Sequence, residues 1–167
     1  ERDYDYPGAV YADDLMSPEE VGTSAGEKAV KRLNPQKAET AQVPVIYDPR
    51  VSRGIVMHLA SAINGSSVAR DTSFLKDKMG EQVFPAGTTI YDDPHRARGL
   101  RSKPFDGEGV ANQKRKIIED GVLTTWILDL RSSRQLGLET TGHASRGTGS
   151  PPSPSAPNVY LETGSKS

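Results

Sequence analysis

The stretch KRKIIEDGVLTTWILDLRSSRQLG, residues 114–137, decides which fold this chain can adopt. Asp120 and Gly121 separate two apolar runs, and a two-residue Asp-Gly loop is the strongest short-range hairpin signal because both positions tolerate positive φ. The sequence therefore predicts a β-hairpin in which Glu119 pairs with Val122.

The predicted register determines which side chains meet across the hairpin. Ile118 lies beside Leu123, and Arg115 lies beside Trp126, where the cation would cover the indole ring. Neither face of the hairpin is cleanly apolar. We therefore expect it to lie over a core or a partner rather than to form a fully buried central pair.

Helix signals and weaker strand signals surround the hairpin. The capping sequence Ser-Pro-Glu-Glu opens a helix over residues 17–33. An Asp-Pro start and an apolar stripe predict a core helix over 48–65, ending at a Gly-Ser-Ser run. A short helix over 129–137 begins at an Asp cap and ends at a Gly. Strands are expected at 43–47 and, around a turn, within 81–92.

These elements predict an α+β fold in which helices flank an antiparallel, hairpin-rich sheet. Residues 1–16 are expected to form a linker or arm, and residues 17–137 a central α+β region. Residues 138–167 are mostly Gly, Ser, Thr and Pro, so we expect an extended and poorly supported tail. The chain is predicted to be a fragment of a larger β-rich protein.

Composition excludes several classes of function. The 21 basic and 22 acidic residues leave a net charge of −1, which gives no overall field to attract nucleic acid or an acidic membrane. We find no apolar run long enough to cross a bilayer. The sequence holds no Cys, so disulfides and thiolate chemistry are excluded within it, which is compatible with the cytosol.

Two glycine-rich loops hold candidate binding residues. In Phe-Asp-Gly-Glu-Gly, residues 105–109, the carboxylates of Asp106 and Glu108 could bind a cation or a peptide amine, or the loop could simply be a turn. The loop TTGHASRG, residues 140–147, offers His143 and Arg146 to a ligand, or is a solvated connection. A Ser and a His two positions apart do not make a nucleophile pair without an orienting group.

The three histidines raise the question of a metal site. His58 is expected on the inward face of its helix, where a packed or interface role competes with a role as ligand. His95 and His143 are elsewhere in the sequence. If all three met in space, the chain could be a self-contained metal-dependent hydrolase.

Several long motifs in order carry a resemblance to a known family. The motifs are YDPRVSRGIVMHLASAINGSSVARDTSFLKDKMGEQVF, GTTIYDDP, RGLRSKPFDGEG, IIEDGVLTTWILDLRSSRQLG and TTGHASRG. With these motifs in this order, the sequence resembles the TldD/PmbA family, and it is most similar to the PmbA branch, also called TldE and historically named a modulator of DNA gyrase.

The resemblance implies a divided peptidase. In this family the TldD-type subunit resembles a zinc peptidase with an H-E-x-x-x-H helix, and it pairs with a PmbA-type subunit to cut unfolded peptides. The equivalent helix here retains His58 but has Leu59 in place of the Glu base and Ile63 in place of the second zinc ligand. Catalytic and metal-binding residues are therefore expected to be absent, and zinc is expected in a TldD-like partner.

The resemblance also implies a peptide-binding role. Asp106, Glu108, His143 and Arg146 are predicted to face a cavity shared with a TldD-like partner, or within a homodimer, in the bacterial cytoplasm. The alternative is a non-enzymatic binding protein, such as a modulator of DNA gyrase. The near-neutral charge supplies no strongly charged face for that role.

Overall fold

A computed structural model describes residues 1–164 of the 167-residue chain. Contacts divide the chain into two units, Glu1–Ile46 and Tyr47–Ser167. The first predicted helix therefore groups with the N-terminal arm. The end of the predicted tail, residues 165–167, lies outside the described residues. No helix within residues 1–164 is both long and apolar enough to cross a membrane.

The first unit contains helix α1, Pro18–Val30. Ser17 is its N-cap: the Ser17 side chain accepts from the backbone N–H of Glu20 at 3.2 Å, and the Glu20 carboxylate accepts from the Ser17 N–H at 2.8 Å. This capping box confirms the predicted start of the helix. Asp5 accepts hydrogen bonds from the side chains of Ser24 and Lys28, each at 2.5 Å, and so fastens the arm to α1.

The second unit begins with two consecutive helices, α2 at Pro49–Ala62 and α3 at Gly65–Ala69. Gly65 was predicted to end a helix, but it begins one, with Asn64 as N-cap. A Cβ at Gly65 would lie 2.6 Å from Leu128 Cδ2, so the glycine allows α3 to start against the segment that follows the hairpin. The prediction that residues 43–47 form a strand is wrong, since residues 35–48 form neither helix nor strand.

The second unit is built on an antiparallel sheet with a smaller ribbon beside it. The strands are β1 Ile90–Asp92, β2 Arg115–Glu119, β3 Val122–Leu123, β4 Ala144–Ser145, β5 Ser153–Pro154 and β6 Val159–Leu161. The main sheet has the order β3-β2-β1-β6, and β4 pairs with β5 in the ribbon. Of the predicted strand pair within 81–92, only β1 forms a strand; Gln82 makes a single bridge to Val122.

The hairpin has the predicted register. Glu119 pairs with Val122 across Asp120 and Gly121, whose φ angles are 48° and 83°. Both central residues thus adopt positive φ, as a tight Asp-Gly hairpin loop requires. The pairing of β2 with β3 ends at Ile118 and Leu123. The predicted pairing of Arg115 with Trp126 therefore does not form.

Strand β2 of the hairpin lies within the core, contrary to the expectation that the hairpin would lie over one, whereas β3 is at the edge of the sheet. Strand β2 has neighbours on both sides, and its successive residues Ile117 and Ile118 are both fully buried. Successive strand residues point to opposite faces, so both faces of the sheet are covered. The core comprises Leu59, Ala62, Ile63, Val68, Leu75, Ile90, Ile117, Ile118, Leu123, Trp126, Ile127 and Leu128.

Residues 138–164 of the tail are also more ordered than their composition predicts. The tail begins just after helix α4, Leu130–Leu136. As predicted, Asp129 caps the start of this helix, and Gly137, with a φ of 67°, ends it. Strand β6 then pairs with β1 at the sheet edge. For residues 138–164 the expectation of a poorly supported tail is wrong, because β6 pairs with the main sheet and β4 pairs with β5, although these segments have no apolar core of their own. The architecture as a whole is α+β, as predicted.

Candidate functional site

The loop at residues 105–109 is organised around a buried carboxylate. Asp106 is 3% exposed, and its Oδ1 accepts from the backbone N–H groups of Glu108 and Val110, both at 2.9 Å. Its Oδ2 accepts from the N–H of Ala144, also at 2.9 Å. Three backbone donors therefore hold this carboxylate in place, and it fixes the shape of the loop.

The two candidate loops are neighbours in space. The Gly107 N–H donates to the Ala144 carbonyl at 2.8 Å. A Cβ at Gly107 would lie 3.1 Å from Arg146 Cβ, so the close approach favours glycine. Between the loops is a shallow depression of about 650 Å³. It is lined by Phe105, Asp106, Gly107, Gly109, Arg146, Gly147 and Thr148.

Glu108 connects the first loop to helix α4. Its Oε2 accepts from the backbone N–H of Leu130, the first residue of that helix, at 2.9 Å. A carboxylate at a helix N-terminus is favoured by the helix dipole and by the free N–H groups there. Arg146, by contrast, is exposed at the rim of the depression. Of the four residues predicted to bind peptide, Arg146 is thus the most accessible.

His143 is an interior residue with both ring nitrogens engaged. It is 1% exposed; its Nε2 lies 2.9 Å from Asp92 Oδ2, and its Nδ1 lies 2.8 Å from Thr141 Oγ1. The other oxygen of Asp92 accepts from the backbone N–H of Asn158 at 3.0 Å. This network joins β1 to two separate parts of the tail.

Sequence reasoning does not identify Asp92 as part of the site. The available signal was a carboxylate at the end of an apolar strand, but nothing local identifies its partner. Asp92, His143 and Thr141 contact one another in that sequence, which is the acid, base and hydroxyl arrangement of a catalytic triad. Thr141 Oγ1, however, already accepts from the Leu128 N–H at 2.7 Å and is buried, so a substrate does not reach it.

The three histidines have separate environments. His58 is exposed on α2, and His95 Nε2 lies 2.8 Å from Asn112 Oδ1, whereas the ring of His143 contacts Asp92 and Thr141. Within residues 1–164, no group of three or more Asp, Glu or His side chains is placed to hold a metal ion.

The helix that would carry a zinc site does not fit one. Leu59 is 5% exposed and Ile63 is fully buried, and both belong to the apolar core. Zinc binds nitrogen, sulfur and carboxylate oxygen atoms, which neither hydrocarbon side chain supplies. The expectation that His58 lies on the inward face of its helix is wrong, because its side chain is exposed to solvent.

Comparison with known proteins agrees with this fold. Residues 40–167 match the family described as the PmbA/TldA metallopeptidase C-terminal domain. This match places the fold in the class of metallopeptidase C-terminal domains. The chain belongs to the PmbA/TldD family of metallopeptidases.

Individual relatives give the same result. The metalloprotease PmbA homolog of Haemophilus influenzae is 46% identical over 144 residues, covering 86% of this chain and 32% of that protein. A crystal structure of a proposed modulator of DNA gyrase from Thermotoga maritima aligns with a TM-score of 0.82 and 31% identity, over 95% of this chain and 36% of the other. TldE from Thermococcus kodakarensis aligns with a TM-score of 0.59 and 31% identity, over 65% of this chain and 25% of that one. The chain thus spans about a third of the length of the curated relatives that it matches.

Proposed function

We propose that this chain is part of a non-metallated, PmbA/TldE-type subunit of a TldD/PmbA metallopeptidase complex that processes unfolded peptides. One observation carries the proposal: Leu59 and Ile63, which the family resemblance matches to a base and a metal ligand, are both core hydrocarbons. A metal-activated water needs several ligands and a nearby proton acceptor. Helix α2 offers only the exposed imidazole of His58.

A TldD-type partner would hold the zinc and cut the peptide. This chain would contribute one wall of a shared cavity, in the bacterial cytoplasm. The similarity to TldE from Thermococcus kodakarensis supports the choice of subunit type. A homodimer is the other assembly that the family resemblance implies.

The depression between the two loops is the proposed peptide contact. An extended peptide presents backbone N–H and C=O groups, which bind donors and acceptors placed along a groove. The exposed guanidinium of Arg146 would donate to a peptide carbonyl. Glu108 does not line the depression itself, but it lies between the lining residues Gly107 and Gly109, and its second oxygen would accept from a peptide N–H at the edge. Asp106 and His143 would act as positioning residues, since their side chains already bind the loops and strands that present Arg146.

Peptide cleavage by the intact protein with its TldD-type partner tests this role. We expect Arg146→Gln to raise KM about fivefold while kcat changes little, because the contact is to the peptide and not to the reacting atoms. Arg131→Gln, an exposed change on α4, is the control and should leave both constants unchanged. If both variants gave the same KM as the unmodified protein, Arg146 would have no part in binding.

The alternative role in binding DNA gyrase is separable by affinity capture. The net charge of −1 offers no general attraction to a DNA-bound complex. We expect the tagged intact protein to recover a TldD-type subunit. Recovery of gyrase without any TldD-type subunit would replace the peptidase proposal with the gyrase one.

A further inference from the structure

A second cleft lies within the Tyr47–Ser167 unit, away from the depression described above. It has a volume of about 580 Å³ and lies between one side of α2, residues 96–101 and residues 154–159. Its lining includes three arginines and contains no Asp or Glu. We call it the arginine cleft, and its basic residues are Arg53, Arg96 and Arg101.

Two of these guanidinium groups are held in place by neighbours. Arg101 Nη2 donates to Ser155 Oγ at 2.8 Å. The Arg96 guanidinium lies over the Tyr160 ring, 5.2 Å from its centroid, a distance suited to a cation–π contact. Neither contact neutralises a positive charge. Among residues 1–164, the observed ion pairs leave Arg53, Arg96 and Arg101 without a carboxylate partner.

Apolar side chains lie beside these charges. Met57 is 61% exposed and Leu100 is 68% exposed, and both line the cleft together with Ala156 and Val159. Guanidinium groups recognise planar carboxylates through paired hydrogen bonds. A nucleic acid would need a broader basic surface, whereas a peptide offers a carboxylate and an apolar side chain a few ångströms apart.

We propose that the arginine cleft binds a carboxylate of an extended peptide, from an Asp or Glu side chain or from the C-terminus, beside an apolar residue. The inference rests on the proposed peptide-processing function and adds a preference to it. Arg101 and Arg96 would be pre-positioned by Ser155 and Tyr160, and Arg53 would approach from α2. Pre-positioned donors lose less conformational freedom when the ligand binds.

Fluorescence anisotropy with the intact protein and three short labelled peptides tests the preference. One peptide has a Glu beside a Leu and an amidated C-terminus; the second replaces Glu with Gln; the third is the Gln peptide with a free C-terminus. We expect a carboxylate to improve Kd about tenfold over the amidated Gln peptide, and the gain to shrink at high salt. The first and third peptides distinguish a side-chain carboxylate from a terminal one.

Variants of the protein assign the preference to this cleft. Arg53→Gln combined with Arg101→Gln should abolish the discrimination, whereas Arg131→Gln should retain it. A charge exchange checks that the loss is not due to misfolding: Arg101→Glu should favour a peptide in which Lys replaces Glu. These substitutions are at the surface, where changes to stability are small.

The outcomes separate this inference from the proposed function. Equal affinity for all three peptides would overturn the carboxylate preference, even if the complex with a TldD-type partner still cleaved them. Loss of partner association in the double variant, with unchanged peptide affinity, would make the cleft a subunit interface and would also overturn the inference. Absence of any cleavage by the complex would instead contradict the proposed function.

Discussion

His143 Nε2 lies 2.9 Å from Asp92 Oδ2, and this contact joins residues 51 positions apart inside the protein. Both side chains are almost completely excluded from solvent. Asp92 is the last residue of β1, and His143 directly precedes β4. The pair therefore attaches the loop that carries Arg146 to the central sheet, and the candidate site depends on it.

Removing the carboxylate of this pair should destabilise the fold. We expect Asp92→Ala to lower the free energy of unfolding by about 3 kcal/mol, because it leaves His143 and the Asn158 N–H without their buried partner. Asp93→Ala, in the same turn but partly exposed, should cost less than about 1 kcal/mol. Urea denaturation measures both. Equal stability of the two variants would show that the buried pair contributes nothing specific.

The carboxylate of Asp106 should keep the loop at residues 105–109 ordered and attached to the loop at residues 140–147. In Asp106→Ala, three backbone donors lose their acceptor, and we expect faster amide hydrogen exchange at Glu108, Val110 and Ala144. Amides of the central strand β2 should keep their protection. Unchanged exchange at those three amides would mean that other contacts suffice to hold the loop.

The hairpin should require glycine at its second loop position. Gly121 has a φ of +83°, and an added Cβ would lie 2.8 Å from the Pro85 carbonyl oxygen and closer still to that of Phe84. We expect Gly121→Ala to cost about 3 kcal/mol from backbone strain and steric overlap. Gly87 has the same φ but open space around it, so Gly87→Ala should cost only about 1 kcal/mol. Thermal or urea unfolding would contradict this ranking if the two losses were equal.

Acid should release the N-terminal arm only at very low pH. The hydrogen bond from Lys28, followed by that from Ser24, lowers the pKa of Asp5 from 3.8 to about 2. A lowered carboxyl pKa stabilises the folded state above pH 3.8, and this stabilisation is lost as the pH falls towards 2. An NMR titration should find the pKa of Asp5 lowered, and Lys28→Met should return it towards 3.8. Lys31→Met serves as the control; a normal pKa in the unmodified protein would disprove the attachment.

Local chemistry explains which elements the sequence predicts. The capping boxes of α1 and α4 and the Asp-Gly loop each involve atoms within a few positions, so their residue types reveal them. The predicted strand at residues 43–47 failed because apolar, β-prone residues form a strand only where a partner strand pairs with them, and none does within residues 1–164.

Distant pairing explains what the sequence does not reveal about the site. The carboxylate of Asp106 binds the N–H of Ala144, which is 38 positions away, and β6 reaches β1 only after the long polar tail. The motif residues suggested surface contacts for Asp106 and His143 because polar groups in glycine-rich loops are usually solvated. Both side chains are instead buried and hydrogen-bonded, which is why we propose a positioning role for them.

The measurement that tests the central claim most directly is the metal content of the intact protein purified alone, combined with peptide cleavage before and after adding a TldD-type subunit. With Leu59 and Ile63 in the core, we predict no stoichiometric zinc and no cleavage by the protein alone, and cleavage once the partner is present. One zinc ion per chain together with cleavage in the absence of a partner would contradict the account.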